Sequence, residues 1–376
     1  MKKASRIGWI ALLWAALLSG LFRAALLPKD VNNYELRPAR QLPALTSKAY
    51  ADGSFQEDFE AALSDQLPLS QYFKKAYNLA NSVYLQHLIL PIAARDADLV
   101  VEYNGLRLYR GSMLYTLRDF EEDRPFYDAF YDSYNRAMEA MPETEFYFYF
   151  IESDAVYDFL DGSSRPTFDY MRQQLHAPEG RVARLQLRDF ADFQACFLPL
   201  DHHWTAYGSY RGYLELLDLL QVEDAPLQPV EERRLDANGG SKAVTARLST
   251  FPAPVEVYFF DYPPLGQDYG NEELYRSGEL TQFSYGDFYG GDEAELVFDT
   301  GRPERDDLLV IGDSYDNAVL KLLASHFGKT YSVDLRYYPA EDGFDLPEYV
   351  RSRGIERVLV IGSDYLYMDP VFSVRS

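Results

Sequence analysis

Apolar positions recur at helical spacing over residues 55–90: Phe55, Phe59 and Leu63, then Leu69, Phe73, Tyr77, Ala80 and Tyr84. Pro68, within Asp65-Gln66-Leu67-Pro68-Leu69, divides this run into two helices, because proline lacks the amide donor and its ring collides with the preceding turn. Two short apolar runs flanking Asn104-Gly105 predict a hairpin over 99–109. Residues 125–140 return to helical spacing, with Pro125 placed in the first turn where its missing donor costs nothing. The continuous apolar run at 145–151 reads as a strand buried on both faces, the kind found in parallel sheets.

From there the pattern alternates. Helix is predicted over 168–175, strand over 182–187, helix over 205–220, strand over 308–311, helix over 318–327, strand over 330–335, helix over 346–352 and strand over 357–361. Such alternation predicts a three-layer α/β fold with a parallel sheet between helices. Residues 221–305 interrupt it with Gly, Pro and Asp, scattered Tyr and short β-prone pieces such as 255–260. They are read as an irregular, partly β insertion over the sheet edge.

The amino-terminal pattern is of another kind. Lys2, Lys3 and Arg6 precede an uncharged apolar run over 7–22, and beyond Arg23 the apolar character resumes through Leu27. With Arg23 snorkelling to the interface, the segment reaches the roughly 20 residues a bilayer requires. Basic residues before it and an acidic chain after it predict an uncleaved anchor with the bulk outside the cell. The expected organisation is an anchor over 1–27, a proline-containing linker over 28–46, and an α/β domain over 47–376 with a helical lead-in at 50–95.

Charge and cysteine content narrow the function classes. The 376 residues carry a net charge of −23, which phosphate backbones would repel, so nucleic acid is not an expected partner. Cys196 stands alone, so neither an intrachain disulfide nor a cysteine-based zinc site can form. The 31 Tyr and 24 Phe are expected mostly in the core, although tyrosines can also stack on sugar rings.

Candidate chemistry gathers in two short stretches. Gly312-Asp313-Ser314-Tyr315 follows the strand at 308–311 and opens the next helix. Open α/β sheets bind ligands beyond the carboxyl ends of their strands, so Ser314 is well placed. The backbone N–H groups of Ser314 and Tyr315 can face a developing oxyanion; Asp313 or Ser314 could instead be a plain helix cap. Asp201-His202-His203-Trp204 supplies an acid and an imidazole two positions apart. In an extended segment both share a face, so Asp201 could orient His203 towards Ser314 while His202 points away in support. A metal site on Asp201, His202 and His203 is the competing chemistry, but no further histidine lies nearby: His87, His176 and His326 sit in unrelated contexts. Neither metal nor cofactor is expected.

Asp201-His202-His203-Trp204-Thr205, placed ahead of a distant Gly312-Asp313-Ser314-Tyr315, resembles the signature of the bacterial DHHW proteins. These are SGNH/GDSL hydrolase-like and related to alginate O-acetylation proteins of the AlgX/AlgJ type. Asp65-Gln66-Leu67-Pro68-Leu69, Tyr103-Asn104-Gly105-Leu106-Arg107-Leu108, Tyr289-Gly290-Gly291 and Val333-Asp334-Leu335-Arg336-Tyr337-Tyr338 add to a resemblance that spans about residues 50–376. It implies an SGNH-like fold outside the cytoplasm, with Ser314 as nucleophile, His203 as base then acid and Asp201 orienting it, and with His202, Trp204 and Asp313 supporting. It further implies acetyl transfer to, or removal from, a surface polysaccharide, and a membrane-bound O-acyltransferase as acetyl donor. One block departs from the superfamily pattern. Where an asparagine usually serves the oxyanion, this chain has Gly362-Ser363-Asp364, which leaves Gly290, Gly291 or Asn317 as expected substitutes. The alternative is a non-catalytic glycan-binding or assembly protein on the same fold.

Overall fold

The computed structural model describes residues 105–238, 240–245, 252–339 and 343–375, together with shorter pieces of 14–103 that include 37–51, 54–66, 70–84 and 98–103. The predicted anchor over 1–27 lies almost wholly outside the described residues. Among those described, no helix is long and apolar enough to cross a membrane. The chain divides into two units, residues 1–85 and 86–376.

In the first unit the two expected helices form over Ser54–Gln66 and Ser70–Tyr84. Phe73, Tyr77 and Tyr84 keep their helical spacing yet are exposed, so here the periodicity marks a helix without marking a buried face. Within 28–46, read as linker, Val31–Asn32 and Arg37–Pro38 pair antiparallel.

The second unit is built on a six-stranded sheet. Its strands are β1 (Glu145–Ile151), β2 (Val182–Leu185), β3 (Glu295–Asp299), β4 (Leu308–Gly312), β5 (Lys329–Val333) and β6 (Arg357–Ser363), in the order β3-β5-β4-β6-β1-β2. All pairs are parallel except β3 with β5. The antiparallel edge β3 comes from the end of the segment read as an insertion; exposed Glu295 and Asp299 at its ends hid its strand pattern.

Alternation along the strands feeds two cores. Phe146, Phe148, Phe150, Val358 and Val360 face a long helix α1 (Phe120–Ala140), whereas Tyr149, Ile151, Leu308, Val310 and Ile361 face the layer of α2 (Ala206–Leu219) and α3 (Asn317–Ala324). Burial on both faces explains why β1, β4 and β6 read as unbroken apolar runs. Helix α1 begins before the predicted Pro125. The Asp119 carboxylate accepts from the Glu121 amide at 3.0 Å, and Glu121, Glu122 and Asp123 suit the positive end of the helix dipole.

The hairpin forms from Val101–Tyr103 and Leu106–Tyr109 and gains a third strand, Ser112–Leu114. The segment at 221–305 is more ordered than its composition suggested. Glu231–Asn238 pairs antiparallel with Pro252–Phe259 and parallel with Gln282–Phe283. Two short helices, Ser241–Thr245 and Tyr285–Tyr289, carry residues to the carboxyl end of the sheet.

Candidate active site

Ser314 sits two residues beyond β4, in the turn that leads into α3. The turn closes through the Asp316 amide donating to the Asp313 carbonyl at 2.9 Å. Gly312 is needed there: a Cβ would fall 2.3 Å from Asp316 Oδ2.

His203 arrives from the opposite side. Phe197 bridges to Trp204, the Leu198 amide donates to the His203 carbonyl at 3.0 Å, and the Thr205 amide donates to the Cys196 carbonyl at 2.8 Å. The loop between, Leu198 to His203, therefore turns back on itself just before Thr205 caps α2. This puts His203 Nε2 at 2.8 Å from Ser314 Oγ and His203 Nδ1 at 2.6 Å from Asp201 Oδ1. Asp201 Oδ1 also accepts from the His203 amide at 3.0 Å, while Oδ2 accepts from the Ser241 amide at 2.8 Å. Burial acts to raise the Asp201 carboxyl, but the hydrogen bonds and charge of the two imidazoles outweigh it and hold the group well below the usual carboxylate range.

His202 does not point away from this chain. Residues 201–203 bend rather than extend, so its ring lies against that of His203 with centroids 3.9 Å apart. Its Nδ1 meets Ser241 Oγ, and its carbonyl accepts from Tyr315 Oη at 2.5 Å. Burial, reinforced by the neighbouring His203, pushes its imidazole down to about 3. Trp204 is buried and donates through Nε1 to Tyr285 Oη at 3.1 Å. The Tyr285 ring in turn stacks on His203, nearly parallel, with centroids 3.8 Å apart. Asp313 is buried, accepts from the Tyr315 amide at 3.1 Å, and is pushed up to about 6 by burial.

Beside Ser314 opens a cavity of about 320 Å³, whose walls include His202, Asp313, Tyr315, Arg336 and Ser363. Asn317, Gly290 and Gly291 do not line it. Asn317 Nδ2 donates to Asp292 Oδ1 at 3.0 Å and its Oδ1 accepts from Tyr269 Oη at 2.9 Å. The Gly291 carbonyl accepts from the same tyrosine at 2.7 Å, and Gly290 packs on its ring. The donor atoms of Asp201, His202 and His203 lie within 4.8 Å of one another, a set compatible with a metal ion. Yet both His203 nitrogens and His202 Nδ1 are already engaged by Asp201, Ser314 and Ser241.

Sequence reading missed Ser241 and Tyr285, which contact Asp201, His202 and His203, and the neighbouring Lys242, whose ammonium pairs with Asp154. Nothing marks Tyr285 among 31 tyrosines, and Ser241 lies in a stretch with no periodic pattern. Ser363 lies in the block where an asparagine is missing from the sequence.

The arrangement is a mostly parallel α/β sheet presenting an acid–imidazole–hydroxyl chain at its carboxyl edge. No protein-family model matches the sequence, and no curated protein matches it. Solved structures do match in fold. A DHHW family protein from Eubacterium siraeum DSM 15702 superposes with a TM-score of 0.55 at 17% identity, over 74% of this chain and 98% of that one. Bacillus cereus PatB1 does so at 0.51 and 16% identity, over 73% and 98%; its sulfonyl adduct form gives 0.52 at 18%, over 74% and 98%. The chain thus shares its fold with a DHHW family protein, as the resemblance in its motifs implied, and also with PatB1.

Proposed function

We propose that this protein is a serine acyl-ester enzyme working outside the cytoplasm, an O-acetyltransferase or acetylesterase of a cell-surface polysaccharide. The observation that carries the reading is the hydrogen-bonded chain Ser314–His203–Asp201. A neutral His203 donating Nδ1–H to Asp201 has its Nε2 lone pair free to take the Ser314 proton. Ser314 Oγ then bonds to the acyl carbon, the carbonyl π pair moves to oxygen, and collapse expels the alcohol, which takes the proton back from His203. A glycan hydroxyl or water attacks the acyl-serine by the same steps in reverse. The acetyl donor in this reading is a membrane-bound O-acyltransferase. Anchoring by the apolar amino-terminal segment is supported by Trp14, Leu18, Phe22 and Leu26, four exposed helical positions spaced by four.

The test is release of acetate from an activated ester and from acetylated glycan. Ser314→Ala and His203→Ala are each expected to lower kcat by about 10⁴-fold or more, and Asp201→Asn by a smaller but large factor. Turnover unchanged in Ser314→Ala would remove the serine mechanism. Glycan binding without esterase activity would favour a binding protein.

A further inference from the structure

We infer that the Ser363 hydroxyl, together with the backbone N–H of Ser314, binds the oxyanion formed at this site. The inference rests on the acyl-transfer reading above and assigns a further catalytic residue to it.

Of the donors expected from sequence, the Ser314 amide fits, but the others are placed elsewhere. The Tyr315 amide donates to Asp313 Oδ1, Asn317 Nδ2 donates to Asp292, and Gly290 and Gly291 lie against Tyr269, away from the cavity. Ser363 is differently placed. Strands β4 and β6 are parallel neighbours in the register Gly312 to Ile361, so Ser314 and Ser363 each lie two positions beyond a paired residue. Neighbouring strands run about 4.8 Å apart. Leu359 and Ile361 share one core with Leu308 and Val310, and two-residue alternation brings Ser363 to that same side.

Ser363 is only 6% exposed and lines the cavity with Ser314. Its hydroxyl has no hydrogen-bond partner among the described residues. Among the other polar walls of the cavity, Ser153 Oγ accepts from the Ala155 amide at 3.2 Å and Arg336 is held by Asp334 and Asp292. The Ser314 amide likewise has no partner among the described residues. A buried hydroxyl left unpaired beside a nucleophile, level with it across two strands, is a preorganised donor.

In the reaction no proton passes through Ser363. The carbonyl π pair moves onto oxygen as Ser314 Oγ bonds to carbon and His203 Nε2 takes the serine proton. The resulting oxyanion accepts from Ser363 O–H and Ser314 N–H until the pair returns and the alcohol leaves.

The experiment uses the purified full chain and p-nitrophenyl acetate. Ser363→Ala is expected to lower kcat by about 10²- to 10³-fold, with KM changed by no more than about threefold, since the bond is made in the transition state. Ser363→Thr, which keeps the hydroxyl, should regain at least about tenfold of that loss. Labelling of Ser314 by a sulfonyl fluoride should slow in parallel in Ser363→Ala. If Ser363→Ala fails to fold by circular dichroism, Ser363→Cys, nearly isosteric and a weaker donor, should lose at least about tenfold in kcat. A Ser363→Ala or Ser363→Cys enzyme within about threefold of wild type, while Ser314→Ala is inactive, would overturn the inference and leave the acyl-transfer reading standing. Equal turnover by wild type and Ser314→Ala would instead overturn the reading beneath it.

Discussion

Lys242→Met should cost this protein both stability and turnover, although Lys242 touches neither Ser314 nor His203. Its side chain is fully buried, and Nζ donates to both Asp154 oxygens, at 2.9 and 2.8 Å. The ammonium also faces the Tyr115 ring at 4.8 Å, and Asp154 Oδ2 accepts from the Tyr115 amide at 2.8 Å. At an effective dielectric near 20 the pair attracts by roughly 6 kcal/mol, which the cost of desolvating two ions largely offsets. Removing one partner is a different matter, because it leaves the other charge buried and alone; the expected loss is about 3–5 kcal/mol. For a folded unit spanning residues 86–376 that is a fall in Tm of roughly 5–8 °C. Lys242 follows Ser241, whose amide holds Asp201, so displacement of the segment should also lower kcat at temperatures where the variant is folded. Calorimetry and esterase assay of Lys242→Met, Asp154→Leu and the double variant measure both effects. The double variant, with no orphaned charge, should recover at least half of the lost Tm. A Lys242→Met melting point within 2 °C of wild type, or a double variant that loses the sum of the two singles, would refute the reasoning.

Two further outcomes follow from the same segment. Gly240 has φ +144°, and a Cβ there would fall 2.5 Å from the Leu200 carbonyl oxygen and 2.8 Å from Asp201 Oδ2; Gly240→Ala should therefore lower kcat at least about tenfold with a smaller change in KM, as steady-state kinetics will show. His202 is held near 3 when folded against about 6.5 when unfolded, so unfolding takes up a proton between those values. The stability it contributes is complete above pH 6.5 and is lost as pH falls towards 3. With 32% of the side chain open to solvent screening, wild type should lose roughly 1–2 kcal/mol more than His202→Gln between pH 7 and pH 5 in urea unfolding, and parallel losses would contradict the assignment.

What could be read from the chain depended on how each residue is specified. Strands β1, β4 and β6 were legible because burial on both faces demands continuous apolar runs, and Ser314, His203 and Asp201 were legible because the chemistry permits few residue types. The edge strand β3 was not, since its exposed acidic residues break the apolar pattern. The turn of His202 against His203 was missed because an extended backbone was assumed where Leu198 to His203 folds back. Asn317 was a sound candidate by residue type and position, yet its amide faces Asp292, a contact set by a partner 25 positions earlier. Tyr285 and Ser241 support the site through tertiary contacts alone, and no local pattern announces such contacts.

Mass spectrometry of the protein quenched during turnover of an acetyl donor gives the decisive result. An acetyl group on the peptide carrying Ser314, accumulating in wild type and absent from His203→Ala, is the expected finding. Turnover with no adduct at Ser314, or with the adduct on another side chain, would contradict a serine nucleophile activated by His203.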